Sequence, residues 1–265
     1  MSSSSTDPAI PDLSSLEIVS PWTELSTGTL QALQLEAPTQ GCILVVAPHP
    51  DDETLGCGGA IALCRAQDWP VQVLVVSDGS QSHPNSIAYP APALRALREQ
   101  ESIAGLATLG VAAPDVTFWR LSDGRLPLNT TSPAFKQAVS RCQAYLALVQ
   151  PSTILLPWRA DPHADHRATW QIFKAALADV GQRPRLLEYP IWDWDPAQRR
   201  TLPKETAIQP WFLDISAVVQ QKYQAICHYR SQTTNLIEDD PQGFRLTAEM
   251  LAHFQNPWEF YLEER

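Results

Sequence analysis

No apolar run in these 265 residues approaches the roughly 18 that a membrane-spanning helix needs. The first residues, Met1-Ser2-Ser3-Ser4-Ser5, lack the charged and apolar regions of a signal peptide, so a cytoplasmic protein is expected. Basic residues are scarce: 19 Lys and Arg stand against 29 Asp and Glu, for a formal net charge of −10. Nucleic acid and anionic membranes both need a basic face, so neither is expected as the main partner. The five cysteines (Cys42, Cys57, Cys64, Cys142, Cys227) form no CxxC pair and no dense framework. That excludes a disulfide scaffold and a thiolate-rich structural zinc site, and it fits thiols that pack as small core residues in a reducing compartment. A dinucleotide fingerprint is also missing. Gly56-Cys57-Gly58-Gly59 is not GxGxxG, and the three acids before it would repel a pyrophosphate. Close packing of a helix on a sheet is the role expected of those glycines.

Histidine is scarce too, with six in the chain, but it is concentrated. The apolar run from Ile43 to Ala47 reads as a buried strand and delivers Pro48-His49-Pro50-Asp51-Asp52-Glu53 at its end. A second apolar run, Thr153 to Trp158, leads into Arg159-Ala160-Asp161-Pro162-His163-Ala164-Asp165-His166. Taken alone, the acids after the first strand could simply complement the positive end of a helix dipole. Two strand ends that both carry His and Asp are harder to assign to chance, because sites of open α/β sheets form at the carboxyl ends of strands. Consecutive residues point different ways, so Asp51, Asp52 and Glu53 cannot all hold one ion. His49 and Asp52 can converge from a loop entering a helix, with Asp51 beside the metal and Glu53 as a helix-start residue. Adding His166 gives three N/O ligands with open positions, the arrangement of a catalytic metal. Cys57 lies close by, but the two strand ends already supply enough ligands.

These residues resemble the LmbE/PIG-L family of zinc-dependent N-acetylglucosamine deacetylases. The likeness rests on His49-Pro50-Asp51-Asp52-Glu53 and His163-Ala164-Asp165-His166, with weaker agreement at Arg98-Glu99-Gln100-Glu101, Asp123-Gly124 and Ser231-Gln232. It covers roughly residues 40 to 235. The resemblance implies a Rossmann-like three-layer α/β fold with a mainly parallel sheet, and removal of acetyl from a small-molecule amino-sugar conjugate. It implies one Zn²⁺ per chain on His49, Asp52 and His166, ligands that also accept iron or cobalt. Asp51 is then the general base. His163 stabilises the oxyanion, and Asp165 orients it and favours its charged form. Arg98 and Asp123 match positions that reach substrate. Where the family usually carries a His two residues before the Ser, this chain has Tyr229, the candidate rim contact. Trp158, Trp192 and Trp194 are candidate sugar platforms. Two other readings compete. One is an amidase acting on another acyl or thiol conjugate, and the other is a non-catalytic carbohydrate-binding protein on the same fold, which the presence of Asp51 and His163 disfavours.

Strand and helix alternate along the chain, as a parallel sheet with right-handed crossovers requires. Strands are expected at 43–47, 71–77, 116–121, 153–157, 186–192 and 211–215. Helices are expected at about 52–67, 93–109, 134–149, 166–180 and 217–229, with Gly110 and Gly181 as stops. Residues 1–35 read as a loose arm or covering segment and 36–265 as one catalytic domain. Loops 78–92 and 193–210 are placed to wall a pocket. The aromatic, acidic tail from Glu238 can pack on the body or on a second copy in a homo-oligomer.

Overall fold

The computed structural model describes residues 30–179, 181, 183–195 and 208–264. Ile43–Ala47 and Val71–Ser77 are apolar on both faces and are buried almost throughout. Such strands need a helical layer on each side. In chain order the strands are β1 (Gln31–Ala32), β2 (Ile43–Ala47), β3 (Val71–Ser77) and β4 (Val116–Leu121). They continue as β5 (Thr153–Pro157), β6 (Arg185–Tyr189), β7 (Ile208–Asp214) and β8 (Trp258–Glu264). They form one sheet in the order β1-β7-β8-β6-β5-β2-β3-β4, with β8 antiparallel to both its neighbours and all other pairs parallel.

The helices are α1 (Asp52–Ala66), α2 (Ala91–Thr108), α3 (Pro133–Val149), α4 (Ala164–Ala176), α5 (Val219–Ile226), α6 (Arg230–Thr233) and α7 (Ala248–Phe254). Strand residues alternate between two apolar layers, as a period of two dictates. Ile43, Val45, Val73 and Val75 pack with Leu55, Ile61, Leu106 and Ile226 from α1, α2 and α5. Leu44, Val46, Leu74 and Val76 pack with Phe135, Cys142, Ile172 and Phe173 from α3 and α4. The three-layer expectation therefore holds. The glycines of α1 do pack closely: a Cβ on Gly56 would lie 2.3 Å from the Tyr189 ring, and one on Gly59 2.4 Å from Ile215 Cγ2.

Several ends differ from the sequence reading. The strand expected at 186–192 stops at Tyr189, because a 3₁₀ turn over Trp192–Trp194 follows. The helix expected over 217–229 ends at Ile226 and restarts as α6. Gln31–Ala32, read with the arm, add a short edge strand beside β7. Residues 1–29 and 196–207, which include most of the arm and part of the 193–210 loop, lie outside the described residues.

The tail packs on the body. It supplies α7 and then β8, which inserts between β6 and β7. Its Glu259 is buried, and the carboxylate accepts from the Gly59 and Ala60 N–H groups (2.6 and 2.9 Å), Tyr261 OH (2.8 Å) and Lys222 Nζ (2.7 Å). Removing one partner of a buried pair strands the other charge. Lys222→Met is therefore expected to lower unfolding free energy by about 3–5 kcal/mol, read from chemical denaturation. A loss below about 1 kcal/mol, the range of exposed pairs, would refute that estimate.

Candidate active site

The sheet order reverses direction at the β2/β5 pair. From β2 the chain moves outward through β3 and β4, and from β5 it moves outward the other way through β6. The two motifs leave the carboxyl ends of these neighbouring central strands, at the switch point where such folds form sites. The β2 end turns through Pro48 and Pro50 into α1, whose N-cap is Asp51 with φ 140°. L-residues rarely adopt that backbone, at a cost of order 1–3 kcal/mol. Two buried groups hold it. Glu53 Oε2 accepts the Asp51 N–H at 3.0 Å. The Arg98 guanidinium donates to Pro50 O (2.7 Å), Gly79 O (2.9 Å) and Asp51 Oδ2 (3.1 Å).

Asp52 Oδ2 lies 3.2 Å from His49 Nδ1 and 3.2 Å from His166 Nε2. Two ligands each 2.0–2.1 Å from one ion in tetrahedral directions sit about 3.3–3.4 Å apart, so each histidine is spaced from Asp52 Oδ2 as two ligands of one divalent ion are. The far side of each ring is also provided for. His166 Nδ1 lies 3.3 Å from Asp161 Oδ2, and His49 Nε2 lies 3.2 Å from Asp123 Oδ1 and 3.3 Å from Asp165 Oδ2. Carboxylates behind metal-binding imidazoles fix ring orientation and raise ligand basicity. His166 is fully buried, and neither of its ring nitrogens makes a well-formed hydrogen bond. Such a nitrogen is costly to bury unless something else satisfies it. His163 brings a ring nitrogen within 4.8 Å of those of His49 and His166, and Asp123 and Asp165 do the same around His49.

Burial works to lower His166, but Asp161 and then Asp52 outweigh it and hold the ring up at about 9. Burial alone would raise the Asp52 carboxyl, yet His166 and His49 hold it well below the usual carboxylate range. A metal needs neutral imidazole, so binding displaces a proton that this site retains below about pH 9. Against burial, Asp123, Asp165 and Asp52 also hold His49 well above the usual imidazole value. Binding therefore displaces a proton from each ligand ring, and apparent metal affinity is expected to rise by at least about tenfold per pH unit from neutrality upward. Metal titrations at stepped pH measure it, and a pH-independent affinity would refute it.

His163 is the N-cap of α4. Its Nδ1 accepts the Asp165 backbone N–H at 3.2 Å, and the His163 backbone N–H donates to Asp161 Oδ1 at 2.8 Å. The expectation for Asp165 holds in part: its charge does favour the charged form of His163 but is outweighed, and the group that engages the ring is its backbone N–H rather than its carboxylate. That carboxylate accepts from Gly124 N (2.7 Å) and Leu126 N (3.2 Å) and faces His49. Burial, then the charges of His49 and His166, push the His163 ring down to about 4. The ring is neutral at physiological pH. With Nδ1 accepting, its proton sits on Nε2.

The other candidates divide. Asp123 lines the pocket, but its oxygens are engaged by His49 and by the Gln81 N–H at 2.9 Å. Arg98 also lines the pocket, while its hydrogen bonds go to Asp51 and the two carbonyls that shape the turn. Tyr229 is not a rim contact. The break after α5 turns its ring inward, where the buried hydroxyl donates to Glu53 Oε1 at 2.6 Å and shares a 2.7 Å hydrogen bond with Thr54 Oγ1. Glu53 is thus a buried brace between Tyr229 and the Asp51 backbone, more than a helix-start residue. Cys57 packs in the core beside Tyr261. Trp158 and Trp194 are core residues, whereas Trp192 lines the pocket and stacks on His163 at 5.7 Å. Sequence reasoning missed Asp161, whose Oδ2 faces His166 and accepts from the Ile191 and Trp192 N–H groups. The signal available was an Asp-Pro-His run just ahead of a ligand histidine.

The pocket has a volume of about 210 Å³ and reaches from these residues past Gln81 and Ser82 to Phe244, Leu246 and Met250. The loop after β3 does therefore reach the site. Among the described residues no helix is long and apolar enough to cross a membrane.

Residues 44–177 match the family described as PIG-L, GlcNAc-PI de-N-acetylase. Among solved structures, a conserved protein from Thermus thermophilus is 28% identical, covers 73% of this chain and 80% of its own, and has a TM-score of 0.52. GalB, the 4-carboxy-2-hydroxymuconate hydratase from Pseudomonas putida, is 20% identical over 85% of this chain and 96% of its own, at 0.61. The N,N'-diacetylchitobiose deacetylase from Pyrococcus horikoshii is 21% identical over 76% and 74%, at 0.57. The last two show a shared fold, and that fold hosts both a hydratase and a deacetylase.

Proposed function

This chain belongs to the PIG-L family, and from that premise we propose that it is a metal-dependent hydrolase removing acetyl from an N-acetylated amino sugar or its conjugate. The observation that carries the reading is Asp51. It is a carboxylate in a strained turn, braced by Arg98 and Glu53, one residue from a ligand and outside the His49–Asp52–His166 set. A binding protein has no need of that strain.

One zinc ion per chain suits the mixed N/O donors, and when bound it supplies Lewis acidity, bringing a water toward a pKa of about 7 and polarising the amide carbonyl. Burial, with Asp52 and Glu53, pushes the Asp51 carboxyl up to about 8 against the pull of Arg98. With a cation on the neighbouring ligands the carboxyl would be lowered from there, toward the ionised form a general base needs. Asp51 takes the proton of the attacking water as the oxygen–carbon bond forms. His163 donates its Nε2 proton in a hydrogen bond to the carbonyl oxygen, where negative charge builds. Asp51 then passes its proton to the amine nitrogen as the carbon–nitrogen bond breaks, giving acetate and free amine. Asp161 and Asp165 hold the two ligand histidines, and Asp123 assists at His49. Arg98 acts through Asp51.

The test is incubation of zinc-loaded protein with a panel of N-acetylglucosamine conjugates, followed by assay of free primary amine. Amine released from at least one conjugate, and abolished by a chelator, is the expected result. No amine from any conjugate would sink the reading.

A further inference from the structure

The pocket has two unlike sides. On one, the polar side chains are mostly committed within the protein. Arg98 is engaged by Asp51 and two backbone carbonyls, Asp123 by His49 and Gln81 N, and Ser82 Oγ by His83 Nδ1 (3.2 Å) and Gln232 Nε2 (3.3 Å). Beyond the groups assigned to catalysis, the Gln81 amide and the Trp192 indole N–H are the polar side-chain groups among the described lining residues with no such commitment. On the other side stand Leu55, Ile191, Trp192, Phe244, Leu246 and Met250.

That wall starts at the chemistry. Trp192 stacks on His163 with centroids 5.7 Å apart and planes 21° apart, and Phe244 lies 5.1 Å beyond Trp192. It is also fixed in place. Phe244 N–H donates to Ser82 O at 2.6 Å, Leu246 N–H donates to Gln232 O at 2.9 Å, and Met250 sits on α7, which Thr247 caps. A preformed apolar wall with few free hydrogen-bonding groups matches an apolar ligand and gains affinity by not having to order itself. The His163, Trp192 and Phe244 ring centroids follow one another at 5.7 and 5.1 Å, so the wall extends only a few carbon–carbon bonds from the chemistry.

From this we propose that the preferred substrate carries a short alkyl or aryl group beside the scissile amide, seated on the Trp192–Phe244–Leu246 wall. The inference rests on the amide-hydrolase reading and deepens it by stating what the site selects. The apolar group can belong to the acyl side, as an N-acyl chain longer than acetyl, or to the amine side, as an apolar substituent on the sugar.

Two series distinguish these sources. One is glucosamine N-acylated with acetyl, propionyl, butyryl, pentanoyl and octanoyl groups. The other is N-acetylglucosamine as its methyl, propyl and pentyl glycosides. Release of amine is measured as kcat/KM with zinc-loaded protein. In at least one series kcat/KM is expected to rise by about three- to fourfold per methylene over the first few carbons and then level off. The series that rises names the side on which the group sits. Phe244→Leu keeps the slope, while Phe244→Asn and Leu246→Asn flatten it, judged as the ratio of longer to parent substrate within each variant. A flat or falling response in both series, with the N-acetyl parent still hydrolysed, overturns this inference and leaves the deacetylase reading standing. A slope that survives both Asn variants also overturns it. No amine from any compound overturns both.

Discussion

Asp51→Asn is expected to keep its metal and to lose about 10²–10⁴-fold in kcat, the usual cost of removing a general base. The substitution is nearly isosteric and leaves His49, Asp52 and His166 untouched. The Asn backbone N–H still reaches Glu53 Oε2, and its carbonyl oxygen can still accept from Arg98, so the strained turn is retained. What disappears is the ability to accept and return a proton. Elemental analysis beside steady-state kinetics separates the outcomes. Loss of metal together with activity would make Asp51 a ligand and the proposed division of roles wrong. His49→Ala should show the converse, a defect that follows metal occupancy.

The second large effect is at His163. A donor whose bond strengthens only as charge builds on the carbonyl oxygen acts on kcat more than on KM. Loss of one such donor is worth roughly 2.7–4 kcal/mol. His163→Ala is therefore expected to retain metal and lower kcat by about 10²–10³-fold. Asp165→Asn should behave differently from what the motif alone implies. Its backbone N–H, the group that engages His163 Nδ1, survives the substitution, whereas its carboxylate contact with His49 Nε2 is weakened. The expected defect is in metal affinity, by about 10–100-fold, with the chemistry largely restored at saturating metal. If Asp165→Asn instead mimics His163→Ala at full occupancy, the carboxylate acts on His163 and the tautomer assignment is wrong. Unchanged kcat in His163→Ala would reduce it to a polar residue at the pocket edge.

The groups that carry this chemistry were legible because they sit at strand ends, where local pattern and tertiary position coincide. An apolar run such as Ile43–Ala47 has little choice but to be a buried strand, and whatever follows it emerges at the site. What could not be read were partners supplied from far along the chain. Nothing local to Tyr229 says that its hydroxyl meets Glu53, 176 residues away. The route of Asp165 was ambiguous for a related reason. Its backbone and its side chain serve different histidines, and a motif does not distinguish the two. The tail resisted because Trp258–Glu264 has charges on what becomes a buried strand: Glu259 is tolerated inside only because Lys222 and two helix N–H groups meet it. Asp161 was overlooked because a carboxylate before a proline also reads as a turn residue.

The Glu259 contacts also bear on the order of events during synthesis. The helix that Asp51 caps and Asp52 opens is made well before β8, yet two of its backbone donors wait for a carboxylate roughly 200 residues downstream. Domains generally fold as units, and contacts so distant in sequence are slow to form. A nascent chain released before β8 would hold both histidine motifs and still present a helix whose glycine-rich middle is unpinned and whose Lys222 neighbour has no counter-charge. Catalytic competence should therefore appear only once β8 has been made, and a chain cut within β8 should lose far more than the loss of an exposed segment would cost.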